Sequence, residues 1–145
     1  MKINQAGLDL IKSCEGLALN AYQDQGGVWT IGYGHTGPEV VKGMVMTEQQ
    51  ALQTLQKDIS IKAEPIDNWV TRELTQNQFA ALCSLCYNVG ISAVRKSVTL
   101  QLVNADKDPT AEWLGFSYIE GVENEGLLNR RKKELELYFT SDEET

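Results

Sequence analysis

The sequence lacks the features of a membrane protein and of a disulfide-rich secreted domain. No stretch approaches the roughly 18 to 20 consecutive apolar residues of a membrane span, and charged side chains interrupt the opening segment MKINQAGLDLIKSCEG. We therefore expect no export signal, no membrane anchor and no stable membrane association. Three cysteines are an odd and sparse set, which favours reduced thiols and synthesis in the cytoplasm.

Metal-binding side chains are also scarce. His35 is the only histidine, and a lone histidine has no partner at the spacing of a recognised metal site. Cys83 and Cys86 have the C-x-x-C spacing. They lie in an apolar run without a second pair of ligands, however, which favours two buried core thiols. We expect neither a metal nor a cofactor.

Positive charge is in the minority, since 13 basic and 20 acidic side chains leave a net charge of -7. An acidic chain is repelled by phosphate backbones, so nucleic acid is not an expected partner. The 145 residues, 42% of them apolar, suit one compact domain that buries a sizeable core. We predict a single domain over residues 1–145 and a monomer.

Hydrophobic periodicity predicts an α+β protein that is mainly α. Residues 4–14 have apolar side chains at helical spacing, and Asn4 can cap the start. The next segment, AYQDQGGVWTIGYGHTG, is rich in glycine, aromatic and β-branched residues. It predicts a small β-hairpin lobe over about residues 15–46, the only β segment expected. The remainder is predicted to form a helical lobe, and the cleft between the lobes is the natural ligand site.

Two capping boxes mark the starts of longer helices. Thr47 and Thr75 are each followed three residues later by a glutamine, so that a hydroxyl and an amide can satisfy opposing backbone donors. Shorter helical pieces are expected around residues 92–104 and 109–115. A last helix is expected over about residues 127–139, followed by a frayed tail from Ser141 to Thr145.

Glu15, Asp24 and Thr30 are the candidate catalytic residues. Glu15 lies at the end of the first helix, where the helix dipole disfavours negative charge, as a proton donor requires. Asp24 lies in a polar, turn-forming stretch that suits an ionised carboxylate, and the Thr30 hydroxyl can hold a water molecule. Two carboxyl groups in contrasting environments suggest an acid and a base. Taken singly, each residue also has an ordinary structural explanation, as a helix-end charge, a turn residue or a strand residue.

The spacing Glu15-(x8)-Asp24-(x5)-Thr30, within EGLALNAYQDQGGVWTIGYGHT, resembles the phage-type lysozymes of glycoside hydrolase family 24. The segments LTQNQFAALCSLCYNVG and GLLNRRKKELELYF are similar to the lambdoid-phage endolysin branch of that family. The resemblance covers nearly the whole chain. It implies a lysozyme-like fold with an N-terminal helix, a small β-hairpin lobe and a C-terminal helical bundle.

This resemblance implies hydrolysis of the β-1,4 bond between N-acetylmuramic acid and N-acetylglucosamine in the glycan strands of bacterial peptidoglycan. Glu15 would be the general acid, and Asp24 and Thr30 would position the hydrolytic water. Inversion is implied, which fits carboxyl groups about 6.5 to 9.5 Å apart. Such an enzyme, made in the cytoplasm of the bacterial host, would reach the wall after membrane permeabilisation, for instance through a holin-type pore, and would lyse the cell.

Tyr22, Tyr33 and Asn88 are candidate substrate contacts. Tyr22 precedes the aspartate by two positions, so an extended segment would point both side chains to the cleft, with core packing as the alternative. Either Trp29 or Tyr33, both close to Thr30 in the sequence, is expected to face the sugars. Asn88 ends a long helix on the bundle side of the cleft, where the resemblance implies an amide contact with an acetamido group. A helix-end role is the alternative for Asn88.

Arg130 is the fourth candidate contact. It begins a run of four positive residues, which ordinarily forms a solvated helix face, here with Glu134 and Glu136 as pairing partners. By register with the closing helix of the family, however, Arg130 would approach Glu15, and a nearby cation opposes the helix-end effect there. The resemblance also implies a structural role for His35, in hydrogen bonds that hold the sheet. Cys14 is interpreted as a buried thiol.

The chain departs from its relatives in two respects. Many have a tryptophan and a glycine-lysine loop where this sequence has FSYIEGVENEGL, and many are basic. These departures bear on substrate affinity and on the range of cells lysed. An alternative function is a non-catalytic peptidoglycan-binding module of the same fold, against which the retention of Glu15, Asp24 and Thr30 together argues. A third possibility is lytic transglycosylation, which needs no positioned water and is disfavoured by the presence of both Asp24 and Thr30.

Overall fold

The computed structural model describes residues 1–144 as an α+β protein that is mainly α, as the sequence predicts. In chain order the elements are α1 (Gln5–Glu15), β1 (Ala18–Gln23), β2 (Trp29–Gly32), β3 (His35–Thr36), α2 (Glu48–Lys62), α3 (Gln76–Val89), α4 (Ile91–Arg95), α5 (Val98–Asn104), α6 (Thr110–Leu114), β4 (Tyr118–Ile119), β5 (Val122–Glu123) and α7 (Glu125–Phe139). Short 3-10 segments occupy Glu64–Trp69, Gly115–Ser117 and Asp142–Glu144. Across residues 1–144, no helix has the length and apolar character needed to cross a membrane.

Helix α1 begins where its cap predicts. The Asn4 side chain accepts a hydrogen bond from the backbone N–H of Gly7 at 3.0 Å. A Cβ at Gly7 would lie 2.6 Å from the Ala80 Cβ, so glycine allows α1 to pack closely on α3. The helix ends at Gly16, whose φ of +72° lies in the left-handed region. This ending leaves Glu15 at the junction between the helix and the sheet.

Strands β1, β2 and β3 form an antiparallel sheet in that order. Tyr22 of β1 is paired with Thr30 of β2, and Ile31 is paired with His35 of β3. Ile31 is fully buried, and β2 lies against α2. The sheet is therefore anchored to the helical part of the protein through its middle strand.

Helices α2 and α3 both begin with the predicted capping boxes, at Thr47 and Thr75. Helix α3 is the centre of the core, since every residue from Phe79 to Cys86 is buried and the helix packs against α1, α2, α4 and α7. Cys83 and Cys86 are free, buried thiols, as predicted. Burial raises the pKa of both thiols.

The second half of the chain contains the predicted short helices and one hairpin that was not predicted. The helical pieces expected around residues 92–104 are α4 and α5, and the Ser97 hydroxyl caps the second by accepting a hydrogen bond from Leu100 N–H at 3.1 Å. The prediction of a single β segment was wrong, because β4 and β5 form a second hairpin. Its turn residues, Glu120 and Gly121, have φ of +50° and +80°, the positive values that two-residue hairpin turns favour.

The expected frayed tail is ordered from Ser141 to Glu144. Asp142 accepts hydrogen bonds from the backbone N–H groups of Gln76 and Asn77, each at 2.9 Å. Its carboxylate therefore satisfies free donors at the start of α3, where negative charge is favoured. Thr145, which the same prediction included, lies outside the described residues.

Candidate active site

Glu15 is the last residue of α1, at the point where the helix meets the sheet. Its side chain is 20% exposed, and its Oε2 accepts a hydrogen bond from Nη1 of Arg130 at 2.6 Å. The other oxygen faces Gly34, between β2 and β3, where a Cβ would come within 2.5 Å of Oε1. Gly34 also has a φ of +79°. Both the backbone and the carboxylate therefore require glycine at this position.

Arg130 and the end of α1 exert opposing electric fields on Glu15. The carboxyl end of α1 repels negative charge, whereas the Arg130 guanidinium attracts it. Arg130 is only 7% exposed, so its charge is weakly screened by solvent. The predicted approach of Arg130 to Glu15 is confirmed. A solvated helix face is the wrong interpretation for Arg130 and Arg131, because both side chains are buried.

A cavity of about 460 Å³ opens beside Glu15, between the ends of α1 and α3 and the first turns of α7. Its lining residues are Ser13, Cys14, Glu15, Asn88, Asn124, Gly126, Leu127, Asn129, Arg130 and Lys133. Amide, hydroxyl and cationic groups predominate, and together they can donate hydrogen bonds to a polar ligand and accept hydrogen bonds from it. A groove of equal volume between α1 and α7 is more apolar and does not include Glu15. The polar cavity is therefore the candidate site.

Asp24 and Thr30 lie on the β1–β2 hairpin and are linked through the backbone of Val28. Asp24 Oδ1 accepts hydrogen bonds from the backbone N–H groups of Gly26 and Val28, each at 2.9 Å. Thr30 is buried, and its hydroxyl donates to the Val28 carbonyl oxygen at 3.0 Å. These bonds hold both side chains in place. They use only one oxygen of the Asp24 carboxylate and only the proton of the Thr30 hydroxyl, so Asp24 Oδ2 and the hydroxyl oxygen keep their capacity to accept hydrogen bonds.

Tyr22 and Tyr33 have different surroundings. Tyr22 is 44% exposed and is paired with Thr30, so the two side chains share one face of the sheet. Tyr33 is only 6% exposed and belongs to the hydrophobic core, with the Lys12 ammonium 5.6 Å from the centre of its ring. This burial corrects the expectation that the Tyr33 ring faces a ligand.

Asn88 lies in the last turn of α3, is exposed and lines the cavity. Its Oδ1 accepts a hydrogen bond from Nη2 of Arg131 at 2.8 Å, which turns the amide NH₂ group towards other partners. Among the predicted site residues, the structure thus forms two groups. The cavity group is Glu15, Asn88 and Arg130, and the hairpin group is Tyr22, Asp24 and Thr30.

Sequence reasoning missed a buried charged cluster behind Arg130. Glu134 is fully buried, and its Oε2 accepts hydrogen bonds from Ser84 Oγ at 2.6 Å, Arg131 Nη2 at 3.0 Å and Arg130 Nε at 3.4 Å. Its Oε1 accepts one from Trp113 Nε1 at 3.1 Å. Arg131 Nε lies 2.7 Å from the same oxygen, an ion pair whose angle does not make it a hydrogen bond. We call these five residues the Glu134 cluster.

His35 joins β3 to α2. Its Nδ1 lies 2.6 Å from Asp58 Oδ2, and its Nε2 lies 2.6 Å from Glu39 Oε1. Burial lowers the pKa of His35, but the hydrogen bonds to Glu39 and Asp58 outweigh burial and raise it. The contact with His35 lowers the pKa of Glu39. The predicted structural role of His35 is confirmed.

Within residues 1–144, no group of three or more histidine, cysteine, aspartate or glutamate side chains is arranged to hold a metal ion. Cys14 lines the polar cavity and is half-buried, rather than buried as expected. Its backbone position, next to Glu15 at the end of α1, accounts for this partial exposure.

Comparison with known proteins gives consistent matches over nearly the whole chain. The family model described as phage lysozyme matches residues 12–134. The endolysin of Bacillus phage B103 is 38% identical over 146 aligned residues, which cover 98% of this chain and 56% of that protein. The chain thus spans little more than half the length of this relative.

Two further matches cover both partners almost completely. The endolysin of Salmonella phage P22 is 34% identical over 145 aligned residues, which cover 97% of this chain and 99% of that protein. Among solved structures, an endolysin from Escherichia coli O157:H7 phage FAHEc1 has a TM-score of 0.90 and 35% identity, over 96% of this chain and 94% of that one. The fold described above is therefore the fold of these proteins.

Proposed function

The chain belongs to the phage lysozyme family, as its sequence motif predicts, and from this premise we propose that it is a muramidase of the endolysin type. Its substrate is the glycan strand of bacterial peptidoglycan, and it hydrolyses the β-1,4 bond between N-acetylmuramic acid and N-acetylglucosamine. The observation that carries the proposal is the carboxyl group of Glu15, which lines a polar cavity and is held there by Arg130.

In the proposed reaction Glu15 acts as the general acid. Its carboxyl group donates a proton to the glycosidic oxygen as the bond to the anomeric carbon breaks, and the leaving sugar departs as an alcohol. The carboxylate that remains lies 2.6 Å from the Arg130 guanidinium, which stabilises the developing negative charge. Arg130 therefore favours the state that follows proton transfer.

Asp24 and Thr30 supply the water in this proposal. A water molecule held by Asp24 Oδ2 and the Thr30 hydroxyl attacks the anomeric carbon from the opposite face of the sugar, and Asp24 takes its proton. The two backbone hydrogen bonds to Asp24 Oδ1 support this role because they hold the carboxylate without occupying its second oxygen. Attack opposite to the leaving group inverts the anomeric configuration.

A second candidate function is a non-catalytic peptidoglycan-binding module. The observation that favours it is the same ion pair, since the Arg130 guanidinium occupies one oxygen of the Glu15 carboxyl group at 2.6 Å. Under this alternative Glu15 and Arg130 would be structural, and the cavity would bind the glycan strand without cleaving it.

The experiment that separates these functions measures two signals from the same protein. Turbidity of outer-membrane-permeabilised Gram-negative cells reports lysis, and release of reducing ends from purified peptidoglycan reports bond cleavage. Glu15→Gln should lower both rates by about a hundredfold to ten-thousandfold. Asp9→Asn, the same chemical change at an exposed position of α1, is the matched control and should leave both rates unchanged. If the unaltered protein binds glycan but releases no reducing ends, it is the binding module instead.

We also propose that the protein is a monomer made in the cytoplasm of the bacterial host and that it reaches the wall after membrane permeabilisation, through a holin-type pore. The three free thiols support synthesis in a reducing compartment. Expression without a pore should leave cells intact until chloroform is added, and lysis before that addition would contradict the proposed route.

A further inference from the structure

Glu134 lies behind the polar cavity and is not part of its lining. Its link to the cavity is Arg130, which donates from Nη1 to Glu15 at 2.6 Å and from Nε to Glu134 at 3.4 Å. The guanidinium also donates from Nη2 to the carbonyl oxygen of Ser84 at 3.4 Å. One arginine thus joins the proposed acid to a second carboxylate, which no ligand in the cavity can touch.

A second link runs through Arg131 to the other wall of the cavity. Nη2 of Arg131 lies 3.0 Å from Glu134 Oε2 and 2.8 Å from Asn88 Oδ1. Nη1 of Arg131 donates to the carbonyl oxygen of Phe116 at 3.2 Å. The same buried carboxylate therefore holds the two arginines that contact the cavity residues Glu15 and Asn88.

We propose that Glu134 is a positioning residue for the reaction, which holds Arg130 and Arg131 against the cavity wall and offsets the positive charge that Arg130 presents to Glu15. This inference rests on the proposed function for its effect on catalysis. The effect of Glu134 on the charge of Glu15 does not depend on the proposed function, because it can be measured without a substrate.

The charges around Glu15 determine whether Glu134 favours its protonated or its ionised form. The two guanidinium groups and Glu134 sum to one positive charge, which an ionised Glu15 cancels. When Glu15 carries its proton, that single positive charge remains in a weakly solvated site. Without the charge of Glu134, Arg130 would face Glu15 without its second carboxylate partner, and the uncompensated charge of Arg131 would lie behind it. Both positive charges would disfavour a protonated Glu15. Glu134 therefore helps to keep a proton available at Glu15.

The other groups that face these charges come from three helices and from α7 itself. Helix α1 contributes Cys14, helix α3 contributes Cys86 and Tyr87, and α7 contributes Lys133 at the cavity wall. Burial raises the pKa of Cys86 and of Tyr87, so both are neutral where the enzyme would work. Helix α6 contributes the Trp113 indole, which donates a hydrogen bond and carries no charge.

The test compares Glu134→Gln with Glu136→Gln, which is the same change at an exposed position of the same helix. Release of reducing ends from purified peptidoglycan is measured over about pH 4 to 9. In Glu134→Gln we expect the alkaline fall in kcat/KM to move to lower pH by about one unit, as unit charges at this range produce. In Glu136→Gln we expect no movement, because solvent screens the exposed carboxylate.

Two further variants distinguish charge from structural damage. Glu134→Asp keeps the charge and should restore the unaltered pH profile, whatever it does to stability. Arg131→Gln removes a positive charge and should move the alkaline fall to higher pH, a reversal that loss of packing cannot produce. If Glu134→Gln does not fold, Arg131→Gln carries the test. If either Glu134→Gln or Arg131→Gln folds and its pH profile does not move, the proposal is overturned.

Carbon-13 NMR titration of the Glu15 carboxyl group separates failure of this inference from failure of the proposed function. If the protein does not cleave glycan but the Glu15 titration moves to lower pH in Glu134→Gln, the proposed function fails and the electrostatic role of Glu134 stands. If cleavage depends on Glu15 but neither the titration nor the pH profile moves, the proposed function stands and this inference fails.

Discussion

On the helical side of the candidate site, Arg130 and Arg131 are buried, and Glu134 binds both. On the hairpin side, Asp24 is exposed and is held by two backbone N–H groups without an arginine or lysine partner among residues 1–144. The helical side is therefore suited to controlling the charge of Glu15, the proposed acid. The hairpin side is suited to holding a water molecule at an exposed carboxylate. Stability and catalysis should depend on the two sides to different degrees.

The largest expected effect is a loss of activity from the hairpin side. In Asp24→Asn the amide oxygen can still accept hydrogen bonds from the N–H groups of Gly26 and Val28, so the turn is preserved and only the proposed base is lost. We expect kcat to fall by about a hundredfold to ten-thousandfold, with the free energy of unfolding changed by less than about 0.5 kcal/mol. Steady-state release of reducing ends and urea unfolding measure the two quantities. Unchanged kcat would remove Asp24 from the mechanism.

The helical side should show a large loss of stability. Arg131→Met removes the fully buried cation of the Glu134 cluster and leaves its carboxylate poorly compensated. We expect the free energy of unfolding to fall by about 3 to 5 kcal/mol, as when one partner of a buried ion pair is removed. Lys132→Met, at the exposed neighbouring position, is the control and should change it by less than about 0.5 kcal/mol. Equal stabilities of the two variants in urea would contradict the burial described for Arg131.

A smaller effect is expected where the sheet meets Glu15. Gly34→Ala and Gly27→Ala both place a Cβ at a φ of +79°, which should cost each variant about 1 to 2 kcal/mol of stability. Only at Gly34 would the Cβ meet the Glu15 carboxylate, because nothing lies within 4 Å at Gly27. Displacement of Glu15 should lower kcat about tenfold to a hundredfold in Gly34→Ala alone. Parallel losses of kcat in both variants would show that the contact with Glu15 does not matter.

The smallest expected effect is a pH dependence of stability at the link between β3 and α2. The hydrogen bonds to Glu39 and Asp58 raise the pKa of His35 above its ordinary value of 6.5, against the effect of burial. The protonated imidazole therefore stabilises the folded state fully below pH 6.5, and this contribution is lost as the pH rises through the folded pKa. The difference in unfolding free energy between the unaltered protein and His35→Asn should shrink as the pH rises through that window. A constant difference would contradict the charged contacts.

Local signals account for the parts of the fold that the sequence predicts well. The caps at Asn4, Thr47 and Thr75 act on the first turn of their own helices, so the helix starts can be recognised from neighbouring residues. The β4–β5 hairpin has only two residues in each strand, too few for an alternating pattern. Its only local signal is the glycine at position 121.

In the candidate site too, the residues that form a linear motif were predictable from the sequence, and those that meet only in the folded chain were not. The spacing of Glu15, Asp24 and Thr30 is a linear motif, and the approach of Arg130 follows from the family resemblance. The Glu134 cluster was missed because its partners are distant in sequence, with Ser84 50 residues and Trp113 21 residues from Glu134. The spacing of both arginines from Glu134 suggests pairing along the helix, but it does not reveal that the pairs are buried.

The central claim is that an acid on the helical side and a water on the hairpin side act on opposite faces of the sugar. The anomeric configuration of the first product, followed by proton NMR before mutarotation, tests this claim most directly. We predict the α-anomer of the newly formed N-acetylmuramic acid end, because water attacks opposite to the leaving group. A β-anomer as the first product, or a 1,6-anhydro sugar, would contradict the account.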